Sequence, residues 1–116
     1  MIKVDVEKVY KDALGLWVSG LFSAISGNNP QLPFCEQKDI FFSLLRTWLA
    51  EGRILFCDPC DPLGAPWKAD VDEIVDYLQA RWPVSVDSEY DPDLNVYFYE
   101  IPAILWVGPS GEIIGS

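Results

Sequence analysis

The spacing of apolar residues in the first half of the chain predicts two helices and one strand. Apolar residues recur at helical spacing over residues 4–26, so we expect one long helix that stops at Gly27. A broad apolar face predicts a second helix over residues 36–51, with Gly52 as its C-cap. The short apolar run 53–57 is bounded by turn signals and is typical of a buried strand.

The second half of the chain opens with a loop and a third helix. Residues 58–67 contain Asp-Pro pairs and a glycine, which are residues that turns favour. A helical apolar pattern then begins near Asp70 and stops at Pro83. Glu73 follows Asp70 by three residues, so we expect the two acids to form an acidic variant of the capping box.

The C-terminal third predicts a connector followed by short strands. Residues 84–94 are rich in acids and predict an acidic connector. Residues 95–101 alternate well enough to predict a strand. Residues 103–107 predict a buried strand, residues 108–111 a hairpin turn, and residues 112–114 the returning strand.

Length and composition favour one packed domain. The chain has 116 residues, of which 50% are hydrophobic, and these include five Trp. This is ample for a core despite a net charge of −10. Trp17, Trp48 and Trp82 lie on predicted apolar faces, so we expect all three in the core. We therefore predict a single α+β domain over residues 1–116, with three helices packed on a small antiparallel β-sheet and a C-terminal hairpin.

An uncharged segment, residues 13–35, was a candidate membrane span. Its apolar part, residues 13–25, is too short to cross a bilayer, and a loop with two prolines follows at residues 28–33. No secretory signal pattern is visible. The three cysteines are an odd number and do not suit a disulfide framework. We therefore expect a cytoplasmic protein with reduced thiols and no membrane contact.

The net negative charge belongs to the second half of the chain. Residues 1–56 carry six acids and six bases, whereas residues 57–116 carry twelve acids and two bases, Lys68 and Arg81. A strongly acidic surface can bind a basic partner, and it repels nucleic acid and anionic membranes. The charge pattern therefore predicts a basic protein partner and no nucleic acid.

Cys57 and Cys60 form the one pattern that suggests catalysis. A Cys-x-x-Cys pair after a predicted strand occurs in thiol–disulfide redox motifs, where a helix N-terminus activates the first thiol. Here residues 61–66 contain two prolines and cannot begin a regular helix. The flanking Asp58 and Asp61 also favour a raised thiol pKa. We therefore interpret the pair as incidental cysteines in a loop at the end of a strand.

Metal sites have little support in the sequence. Zinc would need two further Cys or His ligands, and the chain has only Cys35 besides and no His. A calcium-loop pattern is matched at positions 1, 3, 5 and 12, but Leu94 replaces the glycine of the sharp turn. The four matching acids are Glu89, Asp91, Asp93 and Glu100. His is also the commonest general base in enzymes, and this chain has none. We therefore predict no metal, no cofactor and no catalytic residue.

Three segments then carry a more specific pattern. They are FFSLLRTWLAEG at residues 41–52, DVDEIVDYLQARWP at residues 70–83, and ILWVGPSGEIIG at residues 104–115. The pattern resembles a family of small, acidic, poorly characterised bacterial domains, and it looks like the immunity proteins of contact-dependent growth-inhibition systems. The matching segments are structural and bring no catalytic signature with them.

This resemblance implies a cytoplasmic inhibitor that binds the C-terminal toxin domain of a large secreted effector. Many such toxins are nucleases, whose phosphate-binding sites are cationic, so an acidic inhibitor suits them. An acidic adaptor domain is the alternative, and an enzyme that uses carboxylates or the Cys57/Cys60 pair is a weaker one. We predict that the partner surface draws on loop aromatics and nearby acids, namely Trp67, Asp70, Asp72, Glu73, Asp76, Asp87, Glu89, Tyr90, Asp91 and Asp93. For Trp67 and Tyr90, ordinary packing is an equal alternative to an anchor role.

Overall fold

The computed structural model describes residues 5–61, 63–108 and 110–114 and has the predicted α+β class. Within these residues it contains five helices and one three-stranded antiparallel sheet, where the sequence predicts three helices. In chain order the elements are α1 Val6–Ala13, α2 Val18–Asn28, α3 Phe34–Glu51, β1 Ile54–Phe56, α4 Val71–Ala80, α5 Pro92–Glu100, β2 Ile104–Val107 and β3 Ile113–Ile114.

The first predicted helix, residues 4–26, is two helices in the structure. Gly15 has a φ of 84°, a left-handed conformation that a helix interior does not accommodate. The chain turns there, and the indole Nε1 of Trp106 donates a hydrogen bond of 2.9 Å to the carbonyl of Leu16. α1 and α2 then pack against each other, and the side chain of Asn28 donates to Asp12 over 3.0 Å. The prediction of one helix was therefore wrong, because a glycine turn lets both segments bury an apolar face.

α3 is the central helix and confirms its prediction. It packs on α2, α4 and β1, and it starts at Phe34, two residues before the predicted start. Gly52 ends it in the left-handed conformation with a φ of 76°. The amide of Arg53 donates to the carbonyl of Trp48 over 2.8 Å, so the final carbonyls of the helix are satisfied as the C-cap prediction requires.

The sheet contains three of the four predicted strands. β1 pairs with β2 in antiparallel register, with Ile54 opposite Trp106, and β3 pairs with the other edge of β2. Beyond β1, Cys57 forms an isolated bridge with Pro66, and the amide of Trp67 donates to the carbonyl of Phe56 over 2.7 Å. The loop after β1 is therefore held against the end of that strand.

The predicted strand 95–101 is wrong, because these residues form most of α5. Asp91 is the N-cap and accepts a hydrogen bond of 2.9 Å from the amide of Asp93, while Pro92 occupies the first turn. This combination starts helices because proline presets φ and lacks an amide hydrogen that would need a partner. The buried residues follow the helical spacing i, i+3, i+4, i+7 and are Leu94, Tyr97, Phe98 and Ile101. The acidic connector consequently ends at Asp91 and not at residue 94.

α4 forms where predicted, but its start differs in detail. Asp70 is the N-cap residue, yet its side chain makes no capping hydrogen bond. The predicted capping box with Glu73 is therefore wrong, and both carboxylates stay exposed. The helix ends at Ala80. Trp82 follows in a turn, and the backbone amide of Trp82 donates a hydrogen bond to the carbonyl of Gln79.

The aromatic core confirms two of the three Trp predictions. Trp48 is fully buried and Trp82 is 7% exposed, whereas Trp17 is 45% exposed and its prediction was wrong. The turn at Gly15 changes the helical phase, which turns Trp17 away from the core. Trp82 lies at the centre of a cluster of aromatic rings that joins α2, α3 and α5, namely Phe22, Phe34, Phe41, Phe42, Tyr97 and Phe98.

Candidate functional site

The exposed face of α4 carries three of the predicted partner-binding acids. Asp72, Glu73 and Asp76 are exposed, while the opposite face of the helix is buried. Asp72 and Asp76 are four residues apart and therefore repel each other on the same face. Asp72 forms an ion pair with Arg46 of α3. Asp70 adds a fourth exposed carboxylate just before the helix.

The connector and the first turn of α5 hold a second group of acids, but these acids differ in exposure. Asp87 and Asp93 are exposed. Asp91 is half-buried and caps α5. Glu89 is also half-buried, and its carboxylate accepts a hydrogen bond of 2.7 Å from the hydroxyl of Ser26 in α2. Glu89 and Asp91 therefore also hold the connector in place.

The two acidic groups begin at opposite ends of α4. A ten-residue helix spans about 15 Å, and the chain leaves its C-terminal end to enter the connector. Among the described residues, no ion pair or hydrogen bond joins the two groups. The predicted acids therefore belong to two different segments of the chain, α4 with its N-cap and the segment that leads into α5.

Trp67 and Tyr90, the two predicted aromatic anchors, have different environments. Trp67 is half-buried, and its ring packs edge-on against Tyr77 of α4 with 5.1 Å between centroids. The guanidinium of Arg81 covers the same Tyr77 ring at 3.4 Å from its centroid. Tyr90 is 83% exposed at the rim of a cavity of about 550 Å³ between α2 and the connector. Tyr90 therefore has the more accessible ring of the two.

The Cys57/Cys60 pair lacks the features of a redox site. Cys57 is buried, and its thiol lies 3.6 Å from the carbonyl of Gly64. Burial, followed by the charge of Asp61, raises the pKa of the Cys57 thiol above its usual value. The raised pKa confirms the expected direction, and it lowers the thiolate fraction that nucleophilic chemistry needs. Cys60 is exposed, and its amide donates to Asp58 over 2.8 Å in a turn and not at a helix start.

The acids that match a calcium-loop pattern do not share a loop. Asp93 and Glu100 belong to α5, whereas Glu89 bonds to α2. In the part of the chain that the structure describes, no three His, Cys, Asp or Glu side chains lie close enough together to hold a metal ion. Nor is any helix there both long and apolar enough to cross a membrane.

Sequence reasoning missed an apolar groove between the start of α2 and the end of α5. The groove has a volume of about 280 Å³ and is lined by Trp17, Val18, Leu63, Phe98, Tyr99, Ile101, Ala103 and Ile104. The rings of Trp17 and Tyr99 meet edge to face with 5.4 Å between centroids. Tyr99 is 74% exposed and Leu63 is 81% exposed. We call this feature the Trp17–Tyr99 groove.

Two signals in the sequence could have indicated that Trp17 and Tyr99 are exposed. Gly15 interrupts the first apolar run, and a break there changes which face Trp17 occupies. Asp91-Pro92 is a helix-start pair, and a helix from Pro92 puts Tyr99 on the surface. No sequence signal places the two rings together, because that depends on how α2 packs against α5.

Comparison with known proteins supports the fold and no more. No protein-family model matches the chain, and no curated protein matches it either. A solved structure from Neisseria meningitidis, described as an uncharacterized protein conserved in bacteria, superposes with a TM-score of 0.65. The match covers 94% of this chain and 91% of that chain at 24% sequence identity. At this identity the similarity shows that the two proteins share a fold.

Proposed function

We propose that this protein is a stoichiometric inhibitor that binds a basic toxin domain, as the immunity proteins that its sequence resembles do. The expected class of toxin is a nuclease, because its substrate is polyanionic and its active site is therefore cationic. The inhibitor would act by occupying or covering a surface of the toxin, with no chemical step of its own.

The observation that carries this proposal is an acidic surface with little internal compensation. Nine acids lie between residues 70 and 100, and among the described residues only Asp72 of these nine forms an ion pair. The two bases in the second half of the chain are Lys68 and Arg81, and Arg81 stacks on Tyr77. Like charges left unpaired on one helix face cost stability. A basic partner would relieve that repulsion.

The same charges would affect the rate of association more than the affinity. Opposite fields on two proteins steer their encounter and raise the association rate, and added salt screens this effect. Fast capture suits an inhibitor that must act before a toxin reaches its substrate. The raised pKa of Cys57 and the absence of His from the sequence favour binding over catalysis.

The proposal is tested with the gene that neighbours this one in its genome. We expect a large upstream reading frame that ends in a variable toxin domain. Expression of that terminal domain alone should stop bacterial growth, and coexpression of this protein should restore it. Purified toxin domain and protein should form a 1:1 complex by isothermal titration calorimetry, with an association rate that falls steeply as salt increases.

Two further results separate inhibition from other roles. An unrelated acidic protein of similar size and charge serves as the control and should not restore growth. Loss of the toxin's catalytic activity in vitro at one equivalent of this protein would support a direct inhibitor. Growth that is not restored, despite a folded protein in the cell, would exclude the immunity function. A stable complex that leaves toxin activity intact would favour the adaptor alternative.

A further inference from the structure

We infer that the Trp17–Tyr99 groove receives an apolar side chain from a basic protein partner, an inference that rests on the proposed function. It makes Trp17 and Tyr99, and not Trp67, the central aromatic contacts of the interface. Asp61 and Glu100, which neighbour groove residues along the chain, would then be charged residues beside an apolar contact.

The groove has the properties of a protein-docking site. Three of its lining side chains, Trp17, Leu63 and Tyr99, are large, apolar or aromatic, and exposed by 45%, 81% and 74%. They line one concave space, so a single inserted side chain could contact all three. Tryptophan and tyrosine in such pockets contribute a large share of binding energy at protein interfaces. Val84 is also fully exposed, but it lies outside the groove. A single exposed apolar residue is common on protein surfaces and does not indicate a docking site.

The surrounding charges favour a basic occupant. Within two positions along the chain of any groove residue, the charged residues are Asp61 and Glu100, and both are exposed acids. Residues 82–116 contain no Lys or Arg, and residues 13–35 contain no charged residue of either sign. A segment that brought apolar side chains together with Lys or Arg would therefore be attracted by these two acids.

A second copy of this chain fits the groove poorly. Each copy carries a net charge of −10, and a symmetric contact through the groove would bring Asp61 and Glu100 of one copy towards the same acids of the other. Juxtaposed like charges oppose association. Charge complementarity thus selects a basic partner over self-association.

Position 17 allows a variant that removes one wall of the groove at limited cost to the fold. Trp17 is the N-cap of α2, with φ −69° and ψ 170°, and it makes no side-chain capping bond. Serine is among the preferred N-cap residues, so Trp17→Ser should preserve or strengthen the start of the helix. Tyr99→Ser removes the partner ring from an exposed helix position. Val84→Ser is the matched control, because it removes an exposed apolar side chain outside the groove.

The probe is a fluorescent synthetic peptide of alternating Lys or Arg and Leu, with one central Phe. The first control, the Ser-substituted basic peptide, replaces Leu and Phe with Ser and so keeps the positive charge. The second control, the acidic peptide, replaces Lys and Arg with Glu and so keeps the apolar residues. We expect the first peptide to bind the wild type most tightly by fluorescence anisotropy. The double variant Trp17→Ser/Tyr99→Ser should weaken that binding at least about tenfold, and Val84→Ser should change it less than about twofold. Amide NMR shifts should concentrate at groove residues.

The other outcomes overturn the inference in distinguishable ways. If the Ser-substituted basic peptide binds as tightly as the apolar one, the groove takes no part, although the proposed basic partner still stands. If neither basic peptide binds better than the acidic peptide, the preference for a basic partner fails as well. If sedimentation shows a wild-type dimer that the double variant abolishes, the occupant is a second copy of the chain.

Discussion

The hydroxyl of Tyr97 in α5 donates a hydrogen bond of 2.6 Å to the carbonyl oxygen of Leu78 in α4. Leu78 is among the last four residues of α4, whose carbonyls have no partner within the helix. The bond therefore satisfies a helix end and fixes α5 against α4 at the same time. Burial raises the pKa of Tyr97 well above the usual tyrosine value, although the charge of Arg81 opposes the shift.

Tyr97→Phe should lower the free energy of unfolding by about 1–2 kcal/mol, because a buried carbonyl loses its donor. Urea unfolding measures this difference. Tyr99→Phe is the control, since the Tyr99 side chain is exposed, and it should change stability little. The raised pKa means that the folded state keeps the Tyr97 proton above pH 10, where the unfolded state loses it. Wild-type stability should fall with rising pH there, and the fall should be smaller in Tyr97→Phe.

The break between α1 and α2 predicts opposite signs for two glycine substitutions. Gly15 has a positive φ, so Gly15→Ala should destabilise the protein by about 1–2 kcal/mol. Gly27 lies inside α2 with open space around its α-carbon, so Gly27→Ala should stabilise it by about 0.5–1 kcal/mol. Thermal or urea unfolding gives both values. A stabilising Gly15→Ala would instead indicate one continuous helix over residues 4–26.

The three Trp positions predict unequal costs of truncation. Trp48→Ala and Trp82→Ala should each cost about 3–5 kcal/mol, because both rings are buried among other aromatic rings. Trp17→Ser should cost clearly less than either, since its ring is 45% exposed and serine suits the N-cap position. Equal melting temperatures for all three variants would contradict the observed burial. Circular dichroism melts make the comparison.

The cysteines should react at different rates with iodoacetamide. Cys35 and Cys60 are exposed, whereas Cys57 is buried and has a raised pKa. Because the thiolate is the reactive form, Cys57 should be alkylated slowly at pH 8 until denaturant is added. Tandem mass spectrometry with fragmentation distinguishes the three sites, because Cys57 and Cys60 share the tryptic peptide 54–68. Replacing Cys57 and Cys60 should leave partner affinity nearly unchanged. Rapid alkylation of Cys57 in the folded protein would instead support a role for its thiol in catalysis.

The acidic groups should contribute to the association rate and not to stability. Neutralising Asp70, Glu73 and Asp76 to the matching amides avoids the ion pair of Asp72 with Arg46. We expect slower association with the basic partner at low salt, a weaker dependence on salt, and an unchanged or higher melting temperature. Stopped-flow measurements at several salt concentrations test this. An unchanged association rate at every salt concentration would mean that the α4 acids only keep the surface hydrated and do not steer the partner.

The acids of the connector and of the first turn of α5 need a more selective change. Asp87→Asn and Asp93→Asn alter exposed residues, and they should slow association without affecting the fold. Glu89→Ala serves as the contrast, because it removes the carboxylate that accepts a hydrogen bond from Ser26 and holds the connector to α2. It should lower the melting temperature. An equal loss of stability in all three variants would argue that the connector acids are structural.

The sequence by itself determined the elements whose signals are local. The apolar face of α3 and the glycine at its end needed no knowledge of the rest of the molecule, because period and C-cap chemistry act within a few residues. The pairing of the last two strands and the acidic second half could also be predicted, because their signals lie within a few neighbouring residues. Asp91-Pro92 is a local signal for the start of α5. However, apolar residues on all faces of this segment also fit a strand, which is why a strand was predicted.

Only the tertiary structure decided which apolar residues are left for a partner. Trp17 and Trp82 are both tryptophans at apolar positions, yet Trp82 is enclosed by rings from three helices and Trp17 is exposed. The difference comes from the turn at Gly15 and from the packing of α2 against α5, which brings Trp17 to Tyr99 across 82 positions of the chain. Such proximity depends on how whole elements pack, and a local pattern of residues does not encode it.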